Sequence, residues 1–181
     1  MNRFREKYQK VAVPGLKAEF KYTNPHQVPR IVKIVVSAGV GRAVSDSKHL
    51  DAVAETLAKV TAQHPVITIA RKSIASFKLR EGNQVGTTVT LRGERAEEFI
   101  DLLVGVVLPR IRDFRGISDT AFDSHGNYSL GLPDHGIFPQ IPFEDIGTAH
   151  GMQVNIVTTA KTAAESKKLL QLMGFPFRKD A

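Results

Sequence analysis

From residue 29 to 41 the chain reads "PRIVKIVVSAGVG", a β-branched run closed by glycines, and this pattern predicts a strand. Upstream, apolar residues return at helical spacing over residues 2–20. Phe4, Tyr8 and Val11 share one face there, and Leu16 and Phe20 continue it after a break. Pro14-Gly15 predicts a kink or interruption at that break. A second helical stripe is Leu50, Val53, Leu57 and Val60, with Ser45 or Asp46 as its N-cap. "PVITIA" and "QVGTTVTLRG" predict two more strands, the second with Val85, Thr87, Val89 and Leu91 on one face. A third helix spans about residues 95–108, carries Phe99, Leu102, Leu103 and Val106, and stops at Pro109. "GNYSLGL" predicts a strand, a loop-like stretch runs on to about Gly151, and "MQVNIVTTA" predicts the last strand. Thr162 and Glu165 have capping-box spacing at the start of a final helix, and Gly174 followed by Pro176 marks its end. Alternating strands mixed with helices predict one α+β domain over residues 1–181: a mainly antiparallel sheet with helices packed on one face.

Alternation also predicts what the other face shows. On the first strand Val32, Ile34, Val36 and Ala38 form the apolar set, which leaves Lys33, Val35 and Ser37 outward. The outward set is Gly86, Thr88, Thr90 and Arg92 on "VGTTVTLRG", and Gln153, Asn155 and Val157 on "MQVNIVTTA". Small uncharged hydrogen-bonding groups thus stand beside a few cations. A solvated sheet face has this look, and so does an RNA platform, where hydroxyls and amides meet ribose and base edges while Lys and Arg meet phosphate. The outward positions carry no paired aromatics, so an RNA partner would present a folded groove or loop rather than a splayed strand.

Composition narrows the classes. The 181 residues are 42% hydrophobic, which suits a globular chain. The absence of cysteine excludes disulfides and thiolate metal sites. "MNRFREKYQK" lacks a signal-peptide apolar core, and "LLVGVVLP" is too short to span a membrane. A cytosolic setting without a membrane partner is the simplest reading. The net charge is +7. Residues 1–50 hold ten cations against three acids, an excess equal to that of the whole chain. Such polarity favours a polyanionic partner, most often nucleic acid.

Candidate chemistry is sparse. None of His26, His49, His64, His125, His135 and His150 has metal-ligand spacing with another ligand on one element. Asp123, Ser124 and His125 collect hydrolase residue types, but the adjoining "HGNY" reads as a turn into a strand. "AGVGR" lacks the third glycine of a dinucleotide loop and the GK[ST] ending of a P-loop. A phosphate-ester enzyme would need "AGVGR" and one histidine to converge in a pocket, and a general RNA chaperone is a further alternative. "RIRDFRG" sets Arg110, Arg112 and Arg115 around Asp113 just after a helix. A capped helix end with an Arg–Asp pair and a phosphate or protein contact are both open readings of it.

"RKSIASFKLREG", "LPRIRDFRG", "FD..GNY.LG", "GM..NIVTTA" and the terminal "GFPF" occur in this order over essentially the whole chain. Together they strongly resemble the bacterial large-subunit ribosomal proteins that bind 5S ribosomal RNA. The resemblance implies an RNA-recognition-like fold, no enzymatic activity and no cofactor. It implies a structural role in the central protuberance of the large subunit, where 5S rRNA is attached. The implied partners are 5S rRNA, 23S rRNA, P-site tRNA, a head protein of the small subunit in an intersubunit bridge, and neighbouring 5S-associated proteins. The family's 5S contacts fall on Ser37, Gln63, Thr90 and Gln153, beside the outward Lys33, Arg92 and Asn155. Ser37 stands where the family usually has Asn, and Gln153 where it has Asp. "AQHP" replaces "GQKP", so His64 takes a lysine's place, and "FDSHGNY" departs from "FDG.GNY". Arg110, Arg112 and Arg115 become candidates for rRNA or bridge contact.

The stretch from residue 70 to 86, "ARKSIASFKLREGNQVG", fits the same picture. It has neither a core-strand run nor a helical stripe, and four cations answer one acid. In the family this is a protruding loop that reaches P-site tRNA, here through Arg71, Lys72, Ser73, Lys78 and Arg80. A loop without a core to build keeps its cations hydrated for a phosphate backbone. Gly82 and Gly86 let the chain return, and Ile74, Phe77 and Leu79 are expected to pack the loop on itself or beneath the RNA.

Overall fold

The structure, a computed structural model, describes residues 3–41, 47–142 and 149–178. Five strands, β1 (Ile31–Gly39), β2 (Val66–Ile69), β3 (Gln84–Leu91), β4 (Tyr128–Leu132) and β5 (Met152–Thr158), form an antiparallel sheet in the order β2-β3-β1-β5-β4. Among the described residues four helices accompany it, so the fold is α+β as the sequence predicts. The Ser45/Asp46 cap and the Arg42 end of "AGVGR" lie outside the described residues. The contacts divide the chain into two compact units: Met1–Ile34 with Leu91–Leu130 and Asn155–Ala181, and Val35–Thr90 with Gly131–Val154.

In the first unit the N-terminal helix runs over residues 3–20 without stopping at Pro14. A π turn, Tyr8–Ala12, takes up the irregularity, and the Val13 N–H bonds back to Tyr8 O, five residues away. Proline lacks the N–H for its i−4 carbonyl and crowds it, so a widened turn upstream keeps the helix continuous. The same device recurs in the helix over residues 94–110. There the π turn Leu103–Val107 precedes Pro109, which sits in the closing 3₁₀ turn Leu108–Arg110. The buried stripe of this helix is Ala96, Phe99, Ile100, Leu103 and Val107. Val106, expected inside, is 40% exposed and Leu102 is half-buried, because the apolar face is centred on residues 96, 100, 103 and 107. The N-terminal helix shows a similar rotation, with Ala12 and Leu16 buried and Val11 exposed.

The C-terminal helix, Ala163–Met173, has the capping predicted for it. Thr162 Oγ1 accepts the Glu165 N–H at 3.3 Å, and Glu165 Oε2 accepts the Lys161 N–H at 2.8 Å. Gly174 closes it at φ 95°, and Lys7 Nζ donates to Met173 O at 2.7 Å. Gly15 brings the N-terminal helix close to this one, since a Cβ there would lie 2.9 Å from Leu172 Cδ1. Tyr128, Phe122 and Phe177 form a ring cluster, and the Tyr128 hydroxyl donates to Ser118 O at 2.7 Å.

In the second unit the helix Ser47–Thr61 buries Leu50, Val53, Leu57 and Val60, the predicted stripe. β2 pairs with β3 in the register Val66↔Thr88, Ile67↔Thr87 and Thr68↔Gly86. Gly86 is buried rather than outward. A Cβ there would fall 2.6 Å from Ala38 O, so glycine serves close approach of backbones, not chain reversal. The Gly86→Ala variant is therefore expected to lose about 2 kcal/mol or more of unfolding free energy. Urea denaturation of the two proteins measures it, and equal midpoints would mean that the strands part at no cost.

Candidate nucleic-acid interface

β1 alternates as its sequence predicts from Ile34 onward. Ile34, Val36 and Ala38 are buried, and Lys33, Val35 and Ser37 are more exposed between them. Val32 departs from the pattern at 38% exposure. On β3, Thr87, Val89 and Leu91 are buried, Thr88 is half-exposed, and Thr90 and the following Arg92 are exposed. On β5, Met152, Val154, Ile156 and Thr158 are buried, while Gln153 is exposed and Asn155 half-exposed. A one-residue slip in any of these strands would invert its faces, so the buried set fixes the polar set.

Within the second unit, Gln63 follows the 47–61 helix and its Nε2 donates to Thr90 O at 3.2 Å. The Thr88 hydroxyl reaches Val36 O at 3.4 Å, beside Ser37. Gln63, Thr90, Thr88 and Ser37 thus lie on elements that hydrogen bonds hold in place. Gln153 belongs to the same unit; Lys33, Arg92 and Asn155 belong to the first.

The 70–86 tract is a hydrogen-bonded hairpin. Ala70 N–H donates to Asn83 O at 2.8 Å and Gly82 N–H to Ala70 O at 3.0 Å, closing its base. Ile74 and Leu79 exchange backbone bonds of 2.9 and 3.1 Å across the arm. The tip is the 3₁₀ turn Ala75–Phe77, ended by Lys78 at φ 51°. Gly82, at φ 86°, sits in the turn at the base, where the Asn83 N–H donates to Arg80 O at 3.1 Å. Ser73 Oγ accepts the Glu81 N–H at 2.9 Å, so this side chain also ties the arm together. Arg71, Lys72, Lys78 and Arg80 are all exposed. Ile74 and Phe77 do not pack the loop on itself: Phe77 is 73% exposed and Ile74 42%, which leaves them the other expected place, beneath RNA, while Leu79 is half-buried. A two-stranded arm is one side chain thick and offers no second layer to cover them. An exposed aromatic at the tip was legible only as one of two alternatives. Its signal was Phe77 standing among cations with no helical or alternating apolar partner.

In the first unit, Arg110 ends the 94–110 helix, and Arg112 and Arg115 follow it; Arg110 and Arg112 are exposed. No Arg–Asp113 ion pair forms among the described residues, although Arg110 does stand in the last turn of the helix, as a charged helix end requires. The turn is shaped instead by Asp113 at φ 52° and Gly116 at φ 106°. A Cβ on Gly116 would lie 2.6 Å from Arg178 N, where Ile117 and Phe177 make a parallel bridge.

"DSHGNY" is a turn. Asp123 accepts the His125 N–H at 2.9 Å, the Asn127 N–H at 2.7 Å and Asn127 Nδ2 at 2.7 Å, while Ser124 and His125 are exposed. No group of three or more His, Cys, Asp or Glu fit to hold a metal occurs among the described residues, and none of their helices is long and apolar enough to cross a membrane.

A basic α+β protein with a polar sheet face and a cationic hairpin belongs in form to the structural RNA-binding proteins. Comparison with known proteins makes this specific. Residues 24–80 match the family described as "Ribosomal protein L5", and residues 84–177 match the C-terminus of the same ribosomal protein family. "Large ribosomal subunit protein uL5" of Dehalococcoides mccartyi is 52% identical over 180 residues, covering 99% of this chain and 100% of that protein. The protein of the same name from Desulforapulum autotrophicum is 52% identical over 178 residues, covering 98% and 99%. The chain belongs to the uL5 family of large-subunit ribosomal proteins. It is a structural, RNA-binding component of the large ribosomal subunit rather than an enzyme.

The turn also sets a pH dependence. Hydrogen bonds from the Asn127 side chain and backbone hold the Asp123 carboxyl below its usual range. The hydrogen bond and charge of Lys167, with Nζ 3.0 Å from Asp119, do the same for Asp119. Both groups stabilise the fold above their ordinary unfolded pKa and lose that contribution as pH falls through the depressed folded values. The thermal midpoint should therefore drop between about pH 5 and pH 3, and less steeply in Asp123→Asn. Unchanged steepness in that variant would remove Asp123 from the account.

Proposed function

We propose that this protein binds 5S rRNA in the central protuberance, with residues 1–181 acting as one 5S rRNA-binding domain. The observation that carries the reading is the outward polar set of β1, β3 and β5, held in register by buried neighbours. Ser37, Gln63, Thr90 and Gln153 are the hydrogen-bonding groups of the site, and Lys33, Arg92 and Asn155 add to them. Side-chain hydroxyls and amides suit ribose hydroxyls and base edges, whereas the cations suit phosphate. Ser37 and Gln153 differ in reach and charge from the Asn and Asp usual in the family, so their hydrogen bonds differ in detail.

The hairpin cations Arg71, Lys72, Lys78 and Arg80, with Ser73, contact P-site tRNA in this reading. Successive tRNAs differ in sequence, so charge directed at the backbone serves all of them. Arg110, Arg112 and Arg115 serve 23S rRNA or the bridge to a small-subunit head protein, alongside neighbouring 5S-associated proteins. No cofactor takes part.

A gel-shift titration against 5S rRNA, with an unrelated folded RNA of equal length as competitor, tests the core of the proposal. Selective binding is expected, with a log–log salt slope of roughly 0.7 to 0.9 for each phosphate contact. Thr90→Glu should weaken it by about tenfold or more, because a carboxylate would face phosphate. The Lys72→Ala, Lys78→Ala, Arg80→Ala triple variant should bind 5S rRNA normally and hold P-site tRNA less tightly in assembled ribosomes. Equal affinity for both RNAs, or an unaffected Thr90→Glu, would overturn the sheet-face assignment.

A further inference from the structure

Alternation places Val32 on the apolar face of β1, yet it is 38% exposed. It opens into a cavity of about 380 Å³ inside the first compact unit. The N-terminal helix contributes Arg5 and Tyr8, the approach to β1 contributes Arg30, and the 94–110 helix contributes Glu97 and Ile100. Tyr8 is pinned by donating to Pro29 O at 3.0 Å. Burial raises its pKa, and the charge of nearby Arg30 partly offsets this. Arg5 Nη2 meets Glu97 Oε1 at a long 3.4 Å. Glu97 Oε2 is buried and accepts no hydrogen bond.

We propose that this cavity receives an unpaired guanine nucleotide of ribosomal RNA. Its size lies within the range of small-ligand sites, and its apolar walls suit a base ring. Two arginines against one glutamate favour an anionic guest over a cationic protein side chain. Arg30 is exposed and has no carboxylate partner among the described residues, so it suits the flanking phosphate. The carboxylate sets the base. Guanine offers N1–H and N2–H on one edge, two donors that match two carboxylate oxygens. Adenine and cytosine place a ring acceptor beside their amine, and uracil sets carbonyls on both sides of N3–H, so each would meet repulsion. Rotation about the broad χ3 torsion of Glu97 turns the unsatisfied oxygen toward the guest. The inference rests on membership of the ribosomal family, and not on the sheet-face or hairpin assignments.

Amide spectra of the isotopically labelled full chain, titrated with GMP and separately with UMP, test it. GMP should shift Val32, Gly93 and Ile100 and bind about tenfold more tightly than UMP. Glu97→Gln, which keeps shape but offers one acceptor and one donor, should erase that preference. Val32→Phe should fill the cavity and abolish the GMP shifts while leaving 5S rRNA binding intact, which separates this site from the sheet face. In large subunits assembled with Val32→Phe, a reagent that modifies guanine at N1 and N2 should attack one rRNA guanine that the unaltered protein protects. Equal binding of GMP and UMP, or GMP shifts that survive in Val32→Phe, overturn the site. GMP binding without any newly reactive rRNA guanine overturns the RNA source and points to a free nucleotide.

Discussion

Burial of Ile34, Val36 and Ala38 decides where the rest of β1 points. Each fully buried large aliphatic side chain stabilises the fold by about 1.5–3 kcal/mol, whereas a surface hydroxyl or amide contributes far less. Register is therefore set by the apolar residues, and the polar ones take the positions left to them. The same holds for Val89 and Leu91 on β3 and for Val154 and Ile156 on β5. A polar residue on the outward face is consequently cheap to change. Ser37 and Gln153, the two departures that the resemblance marks, leave the buried set untouched, so the outward set can vary while the fold does not.

The hairpin is built on a different constraint. It has almost no core, and its order comes from backbone hydrogen bonds at the base, across Ile74 and Leu79, and at the tip, with Ser73 Oγ as a strut. Such bonds fix a path without burying side chains, which leaves Arg71, Lys72, Lys78 and Arg80 in solvent. Fixing the path in advance lowers the ordering cost at the moment of contact.

Much of this was legible in the sequence because period-two alternation, helix stripes and caps are local. The stripe of the 47–61 helix and the Thr162–Glu165–Gly174 capping could be read directly. The failures share a cause: they depend on contacts that no local window contains. Pro14 predicts a break, but the helix continues over residues 3–20 and a π turn absorbs the proline, whereas Pro109 does close its helix in the turn Leu108–Arg110. Tertiary packing rotates the buried face away from Val106 and Val11. Gly86 has the look of a turn residue, and only the nearness of Ala38 O gives it another role. Ile74 and Phe77 have the look of packing residues only because apolar side chains usually find cover. The sheet face itself was legible, but its partner was not, since alternation reports burial and says nothing about what lies on the polar side.

Charge and hydrogen bonding divide the work of such a protein. Cations gain most of their affinity by releasing counterions, a term indifferent to sequence and steep in salt. Neutral hydroxyls and amides contribute little until their partners are correctly placed, but then penalise every wrong partner, because an unmet buried donor or acceptor is costly. A contact with one fixed RNA is best made with the second kind, and a contact with a changing series of RNAs with the first. In the proposed reading the chain keeps them apart: Ser37, Thr90, Gln153 and Asn155 stand on strands, and the exposed cations of the hairpin stand on an arm with no layer above it. On that reading, exchanging the two sets would give a permanent joint that salt dissolves and a transient one that discriminates among its partners.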